Sequence, residues 1–386
     1  MKDEKWLKNQ FPFPLVPTDM EGVYTTPALP NDLDFKTASD QLLKQHGLLL
    51  ERPKPGANPA LVAVWNKICE RGLRTIAPHL APLPYTLLRK KGGPRHRPGG
   101  PGPQATSTNW SGCVLEGQGN WGGVGGVFSL PYMSAPPGES DAQCAALSAW
   151  VGLDSWVPNN VGTSPLFQAC ISFFLTAGME SAFVTLPFVQ WWIPDPNNPG
   201  DTVMIGGATV SNAPTMNSGD QIGMYCAYVP VRDGSIWGAV SYVFPGGDVP
   251  TSINLMIQPK QPAPTPGATI EWILENESAT DGTPPNAVIP VFSGSPDSIT
   301  PVTFVGAMGY GQSEGVTTPS TFFPVNNNMF NLFLEFILLL FLPDGLPGDP
   351  VNGFTVLWGN VNGQPFDAAS VTLDANTVSF LYTGPS

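Results

Sequence analysis

Histidine is absent beyond residue 104 of this 386-residue chain, and the only basic residues there are Arg232 and Lys260. Three kinds of chemistry are excluded as a result. A Ser-His or Cys-His nucleophile cannot be assembled from residues 105–386 alone, a zinc site there has no imidazole ligands, and binding to a phosphate backbone lacks clustered Lys and Arg. The five cysteines (Cys69, Cys113, Cys144, Cys170, Cys226) show no CxxC spacing and are read as small buried residues, so no metal or cofactor is expected. Long apolar runs are missing as well. The longest, Leu332 to Leu342, is 11 residues with Glu335 inside it, too short for a membrane span and better suited to a covered strand. The first residues, MKDEKWLKNQ, contain no apolar signal core. No GxxxxGK[ST] occurs, and the Gly-rich stretch 117–126 is not followed by a helical pattern, which argues against a phosphate cradle.

The sequence is instead rich in turn formers, with 42 Gly and 44 Pro, alongside abundant Val, Thr, Phe and Trp. That composition points to an all-β domain. Charge divides the chain at about residue 104. Residues 1–104 hold 15 Lys and Arg against 9 Asp and Glu, and residues 105–386 hold 2 against 21. Two short helices are expected in the basic part, one over about Thr37–His46, the other with Asn58 as cap, Pro59 at its first position and Gly72 past its end. Leu61, Val64, Trp65 and Ile68 give the second an apolar stripe. The stretch 89–106, RKKGGPRHRPGGPGPQAT, reads as a basic linker, either a solvated hinge or a processing site. Strands are expected at 112–115, 148–153, 166–174, 185–193, 220–229, 236–243, 268–274, 302–308, 354–358 and 377–382. The fold class is therefore an antiparallel β-sandwich of two large sheets, lectin-like, preceded by a small, partly helical segment. Its divisions are 1–88 (prosegment), 89–107 (linker) and 108–386 (β-sandwich).

Within Ala268–Ser278, ATIEWILENES, alternation puts Glu271, Ile273 and Glu275 on one face and Trp272 and Leu274 on the other. Four residues separate the two carboxylates by roughly 13 Å, so each needs its own partner. With histidine excluded, what remains for catalysis is a carboxylate with an amide, a carboxylate pair, or nothing. Peptide hydrolysis suits the first: a carboxylate takes a proton from water and returns it to the leaving nitrogen, while a glutamine N–H stabilises the oxyanion. Gln168 lies on a strand face shared with Cys170 and Ser172, in a strand that could run beside Glu275 with a water between the two. A two-carboxylate glycosidase or carbohydrate-binding sandwich, in which Glu271 or Glu275 pairs with Asp154 or Asp220, also fits, as does a structural β domain. Taken singly, Gln168 reads as a sheet-face amide and Trp110, Trp150, Trp191 and Trp192 as core.

The ordered set NWSG (109–112), SAWVGLD (148–154), LFQA (166–169), QWWIP (190–194), SGDQI (218–222) and IEWILE (270–275) resembles the successive motifs of the glutamic peptidases, the eqolisin family. The resemblance implies a sandwich of two seven-stranded sheets, made as a preproprotein and exported, and a pepstatin-insensitive acid endopeptidase acting on protein or peptide substrates. It implies Gln168 and Glu275 as catalytic residues, with Glu271 at the first, non-catalytic glutamate of the motif. Trp110, Trp150, Asp154, Gln190 and Trp191 fall on supporting or substrate-binding positions. The N-terminal segment is the expected intramolecular inhibitor, and neither a membrane nor a nucleic acid is an expected partner. The sequence departs from the motifs at Gln190, which stands for an acid, at Ser155, which stands for a glycine, and at Ser172, where an Asp is common.

Overall fold

The structure, a computed structural model, describes residues 6–7, 11, 14–46, 52, 55, 59–83, 96–97, 104–107, 110–116, 121–141, 144, 146–155, 164–175, 183–198, 201–244, 249–277, 290–311, 354–361, 364–367 and 378–382. Two helices, α1 (Asp40–Gln45) and α2 (Pro59–Arg71), lie among short N-terminal strands: β1 (Val16–Pro17), β2 (Val23–Thr25), β3 (Arg74–Thr75), β4 (Leu80–Ala81), β5 (His96–Arg97) and β6 (Gln104–Ser107). The central strands are β7 (Trp110–Glu116), β8 (Trp121–Ser129), β9 (Tyr132–Ser134), β10 (Leu147–Leu153), β11 (Leu166–Leu175), β12 (Phe183–Pro194), β13 (Thr202–Val210), β14 (Gln221–Pro230), β15 (Ile236–Phe244), β16 (Thr251–Ile257) and β17 (Thr269–Asn276). Five more follow: β18 (Val291–Ser293), β19 (Val302–Gly311), β20 (Phe354–Val361), β21 (Gln364–Asp367) and β22 (Val378–Phe380).

Among the described residues twenty of these strands form two large sheets, and β9 and β18 pair with each other in a third, two-stranded one. One has nine strands in the order β1-β2-β16-β15-β14-β8-β19-β22, with β3 joined to β16. The other has eleven, β4-β13-β12-β11-β10-β17-β7-β20-β6-β5, with β21 on β20. Pairing is antiparallel except for β3 with β16 and β6 with β20. The sheets close on a common core in which Val151, Phe167, Ile171, Trp191 and Trp272 of the larger sheet meet Val124, Phe128, Tyr228, Tyr242 and Phe304 of the smaller. A strand buried on both faces needs no polar alternation, so β10 reads LSAWVGL and is buried at every position.

The ten expected strands are present, and the expectation missed three long ones, β8, β13 and β16. Glycine hid the first two: WGGVGGVFS and TVMIGGATV look like turns, yet their bare backbone receives large side chains from neighbouring elements. Trp272 Nε1, for example, donates to Gly125 O at 2.9 Å. Helix α2 begins at Pro59 and ends before Gly72, whose φ of +77° and N–H bond to Ile68 O (2.7 Å) complete the stop. Trp65 and Ile68 of its stripe are buried. Asn58, the side chains of Leu61 and Val64, Asn109 and the run 332–342 lie outside the described residues.

The N-terminal region is built into the sandwich. Val23 and Tyr24 pair with Ile257 and Met256, and Thr75 pairs with Ser252. Leu7, Phe11, Leu15 and Tyr24 cluster with Trp237, Ala239 and Met256 on the outer face of the nine-stranded sheet. Trp6 and Tyr24 both stack on Trp237, at centroid distances of 5.8 and 5.2 Å. Two pieces of the expected linker, β5 and β6, extend the edge of the larger sheet.

Candidate active site

The outer face of the eleven-stranded sheet carries the polar residues that alternation selects. Here β10 lies between β11 and β17, so Gln168 and the two glutamates are on strands once removed rather than adjacent. Register decides which glutamate faces Gln168. Gly152 pairs with Gln168 on one side and Glu271 on the other, whereas Ser148 pairs with Ser172 and Glu275. Glu271, Gly152, Gln168 and Gln190 therefore form one row across the sheet, with Gln190 paired to Gln168. The expected neighbourhood of Gln168 and Glu275 is not what the sheet provides: Glu275 sits four residues along β17, level with Trp110 and Ser172.

Two strand spacings put the backbones of Glu271 and Gln168 about 10 Å apart. Between them is a residue without a side chain. A Cβ on Gly152 would lie 2.8 Å from the Trp150 ring and 3.2 Å from Leu166, so no larger residue fits under that ring. Gln168 donates from Nε2 to Gln190 Oε1 at 2.5 Å, which orients its amide. Its Oε1 is buried without a hydrogen-bond partner among the described residues, and the fully buried Glu271 carboxyl has the Thr269 and Ser155 hydroxyls beside it. An unanswered buried acceptor in the same row as a buried carboxyl calls for a donor.

Burial drives the Glu271 carboxyl up to about 8, and the nearby Asp154 carboxylate adds to the rise; the Thr269 and Ser155 hydroxyls pull the other way. Asp154, also buried, is raised to about 6 by desolvation against the pull of the Ala268 and Gly267 N–H groups. Its carboxylate accepts from both of those N–H groups, and its own N–H donates to Thr269 O at 3.0 Å. With φ at +70°, Asp154 turns the chain out of β10 and fixes where β17 starts, hence the phase that puts Glu271 on this face. Asp220 accepts the Asn217 N–H in a turn ahead of β14 and pairs with neither glutamate.

Glu275 Oε2 accepts from Trp150 Nε1 at 2.9 Å, and the Trp150 and Trp110 rings meet edge to face at 4.8 Å. Ser172 Oγ donates to Glu277 Oε2 at 3.0 Å. Trp110, Val114, Trp150, Leu166, Cys170, Phe188, Trp192, Ile273 and Leu83 make the apolar part of this face. Trp191 is a correction: it faces the inter-sheet core against Phe167 and Tyr228, with centroids at 4.8 and 5.7 Å. A strand that turns Gln190 outward must turn Trp191 inward, and Trp192 is the one that shares the Gln190 side. Sequence reasoning missed Gly152, Trp192, Glu277 and Leu83. Parity from Gln190 would have found Trp192; the other three have no local signal. Among the described residues no group of three or more His, Cys, Asp or Glu is arranged to hold a metal ion, and no helix is long and apolar enough to cross a membrane.

The Peptidase A4 family model matches residues 108–232, a span that contains Gln168 and Gln190 and stops short of both glutamates. Among solved structures, Scytalido-glutamic peptidase with a peptide-based transition-state analogue is 17% identical, covering 72% of this chain and 98% of that one at a TM-score of 0.41. SCP-B, a member of the eqolisin family of peptidases solved with the tripeptide Ala-Ile-His, is 16% identical with the same coverages and a TM-score of 0.40. No curated protein matches the chain.

Proposed function

We propose that this chain, whose residues 108–232 match the Peptidase A4 family model, is a glutamic-type endopeptidase that hydrolyses peptide bonds in the acid range with Gln168 and Glu271 as the reacting pair. The observation that carries the pairing is the shared row through Gly152, in which the buried Gln168 Oε1 lacks a partner and the fully buried Glu271 carboxyl stands two strands away. When a peptide is bound, a water bridging them donates to the Glu271 carboxylate, and in that complex, unlike the free chain, the hydrogen bonds supplied restore solvation and bring the carboxyl back toward its ordinary range. The ionised carboxylate then takes one proton of that water as its oxygen attacks the peptide carbonyl carbon. The Gln168 amide, aligned by Gln190, donates to the oxygen that becomes negative. Collapse breaks the C–N bond, and the carboxylic acid returns its proton to the departing nitrogen, leaving Glu271 ionised again.

In this reading Glu275 is not the proton carrier that the motif suggested, because its register puts it opposite Ser148 and its carboxylate is engaged by Trp150. The N-terminal segment acts on the same face through Leu83, which packs against the Trp192 and Phe188 cluster and lies where a Cβ on Gly207 would meet it at 2.7 Å. An apolar side chain supplied by the chain itself fills a place that a substrate side chain would take, which supports an inhibitory role. Export follows from the family's secreted habit.

The test is hydrolysis of a quenched peptide by the full chain near pH 4 with pepstatin present. Glu271→Gln should reduce turnover by about 10³-fold or more, and Gln168→Ala by about 10²-fold or more, with both variants folded. Turnover near wild type in Glu271→Gln would overturn the pairing.

A further inference from the structure

We infer that Glu275 is a positioning residue that holds the Trp150 indole as a fixed wall over Gly152, between the two reacting side chains; this rests on the Gln168–Glu271 reading above. One end of the indole is held by a hydrogen bond and the other lies over the bare backbone of Gly152. At one end Nε1 donates to Glu275 Oε2 at 2.9 Å, with both residues buried. At the other the six-membered ring reaches forward along β10 until its Cζ3 and Cε3 lie 2.8 and 3.1 Å from where a Cβ on Gly152 would stand. That atom pair is directly over the row of Glu271 and Gln168. Rotation of the ring about its side-chain bonds would sweep it into or out of the space a bridging water must occupy.

The burial pattern favours this role over plain packing. A ring needed only to fill volume beside Ile273, Cys170 and Trp110 would be satisfied by apolar contact. Here a buried carboxyl accepts the indole N–H, a directional contact that fixes the ring's orientation as well as its volume. The edge-to-face contact with Trp110, at 4.8 Å and 78°, supplies the second constraint on the ring plane. Glu275 is therefore placed to control the geometry of the water while touching neither the water nor the peptide.

The experiment compares Glu275→Gln, Glu275→Leu, Trp150→Phe and the double variant Glu275→Leu with Trp150→Phe in the full chain. Turnover of a quenched peptide is measured per folded molecule, alongside the exciton signal of the Trp110–Trp150 pair in circular dichroism. Glu275→Gln keeps an acceptor oxygen and should retain turnover within a few-fold together with the exciton signal. Glu275→Leu frees the ring and should lose about 10²-fold in kcat with little change in KM, and the exciton signal with it. In the Trp150→Phe background, where no N–H remains to hold, Glu275→Leu should cost nothing more. Glu275→Gln as inactive as Glu271→Gln would make Glu275 a proton carrier and overturn the inference. So would an unchanged exciton signal in Glu275→Leu. Full turnover in Glu271→Gln would sink the reacting pair instead, while the dichroism would still report whether Glu275 holds the ring. Should Glu275→Leu fail to fold, Glu275→Gln against Trp150→Phe gives the same contrast.

Discussion

The two outer faces of the sandwich are made by the same alternation and have opposite contents. On the nine-stranded sheet the outward residues are Tyr24, Val229, Trp237, Ala239 and Met256, and the N-terminal segment seals them with Leu7, Phe11 and Leu15. On the eleven-stranded sheet the outward residues include Gln168, Gln190, Glu271 and Glu275, all buried among tryptophans. An apolar face needs only to be covered; a polar face that is buried must also have its hydrogen bonds answered, and here some are not. The first face is where the structure gains stability, and the second is where it holds reactive groups out of water.

Replacing Trp237 by Ala should have the largest effect on the fold. It removes the ring against which Trp6, Phe11 and Tyr24 pack, at a cost of about 3–5 kcal/mol, and should loosen residues 6–25 to proteolysis. A variant that melts like wild type would mean that the N-terminal segment only rests on that face. The comparison is sharper with Glu271→Gln, which should be silent on the first face and strong on the pH dependence contributed by the second. Glu271 has a folded pKa raised from 4.5 to about 8, and Asp154 one raised from 3.8 to about 6. Raised folded values mean stability that is full below the unfolded values and lost as pH climbs to the folded ones, so the loss falls between about pH 4 and 8. Self-repulsion among the 21 acids of residues 105–386 acts in the same direction. Thermal melting should show wild type losing stability across that window. Glu271→Gln should lose less, by on the order of a few kcal/mol. Equal slopes in the two proteins would show that Glu271 is already solvated. The smallest effect is expected from Leu83→Ser, which should raise kcat/KM on an apolar peptide by a few-fold by freeing its place beside Trp192. No gain would reduce Leu83 to packing.

Legibility in the sequence followed the range of the interaction. Charge partition, the absence of histidine, the ends of α2 and the face shared by Glu271, Ile273 and Glu275 depend on residues within a few positions of one another. All were readable along the chain, as was the resemblance to the glutamic peptidases from ordered motifs. Strands β8 and β13 were not, because glycine signals a turn when read locally and a landing place for a distant ring such as Trp272 only when the fold is closed. Trp191 was misplaced by treating a motif as one unit when its residues alternate between two faces.

The sequence by itself determined that this protein is an acidic, mostly antiparallel β-sandwich with glutamine and glutamate as its candidate reactive groups, since composition and period-two alternation are properties of the chain alone. Which glutamate meets Gln168 was decided by the tertiary structure. Glu271 and Glu275 share a face, a strand and a chemistry, and only the insertion of β10 between β11 and β17, in a register that sets Gly152 against both Gln168 and Glu271, tells them apart. That register joins Gly152 to Gln168, 16 residues away, and to Glu271, 119 residues away; it is fixed by the burial of whole faces, and no local pattern encodes it.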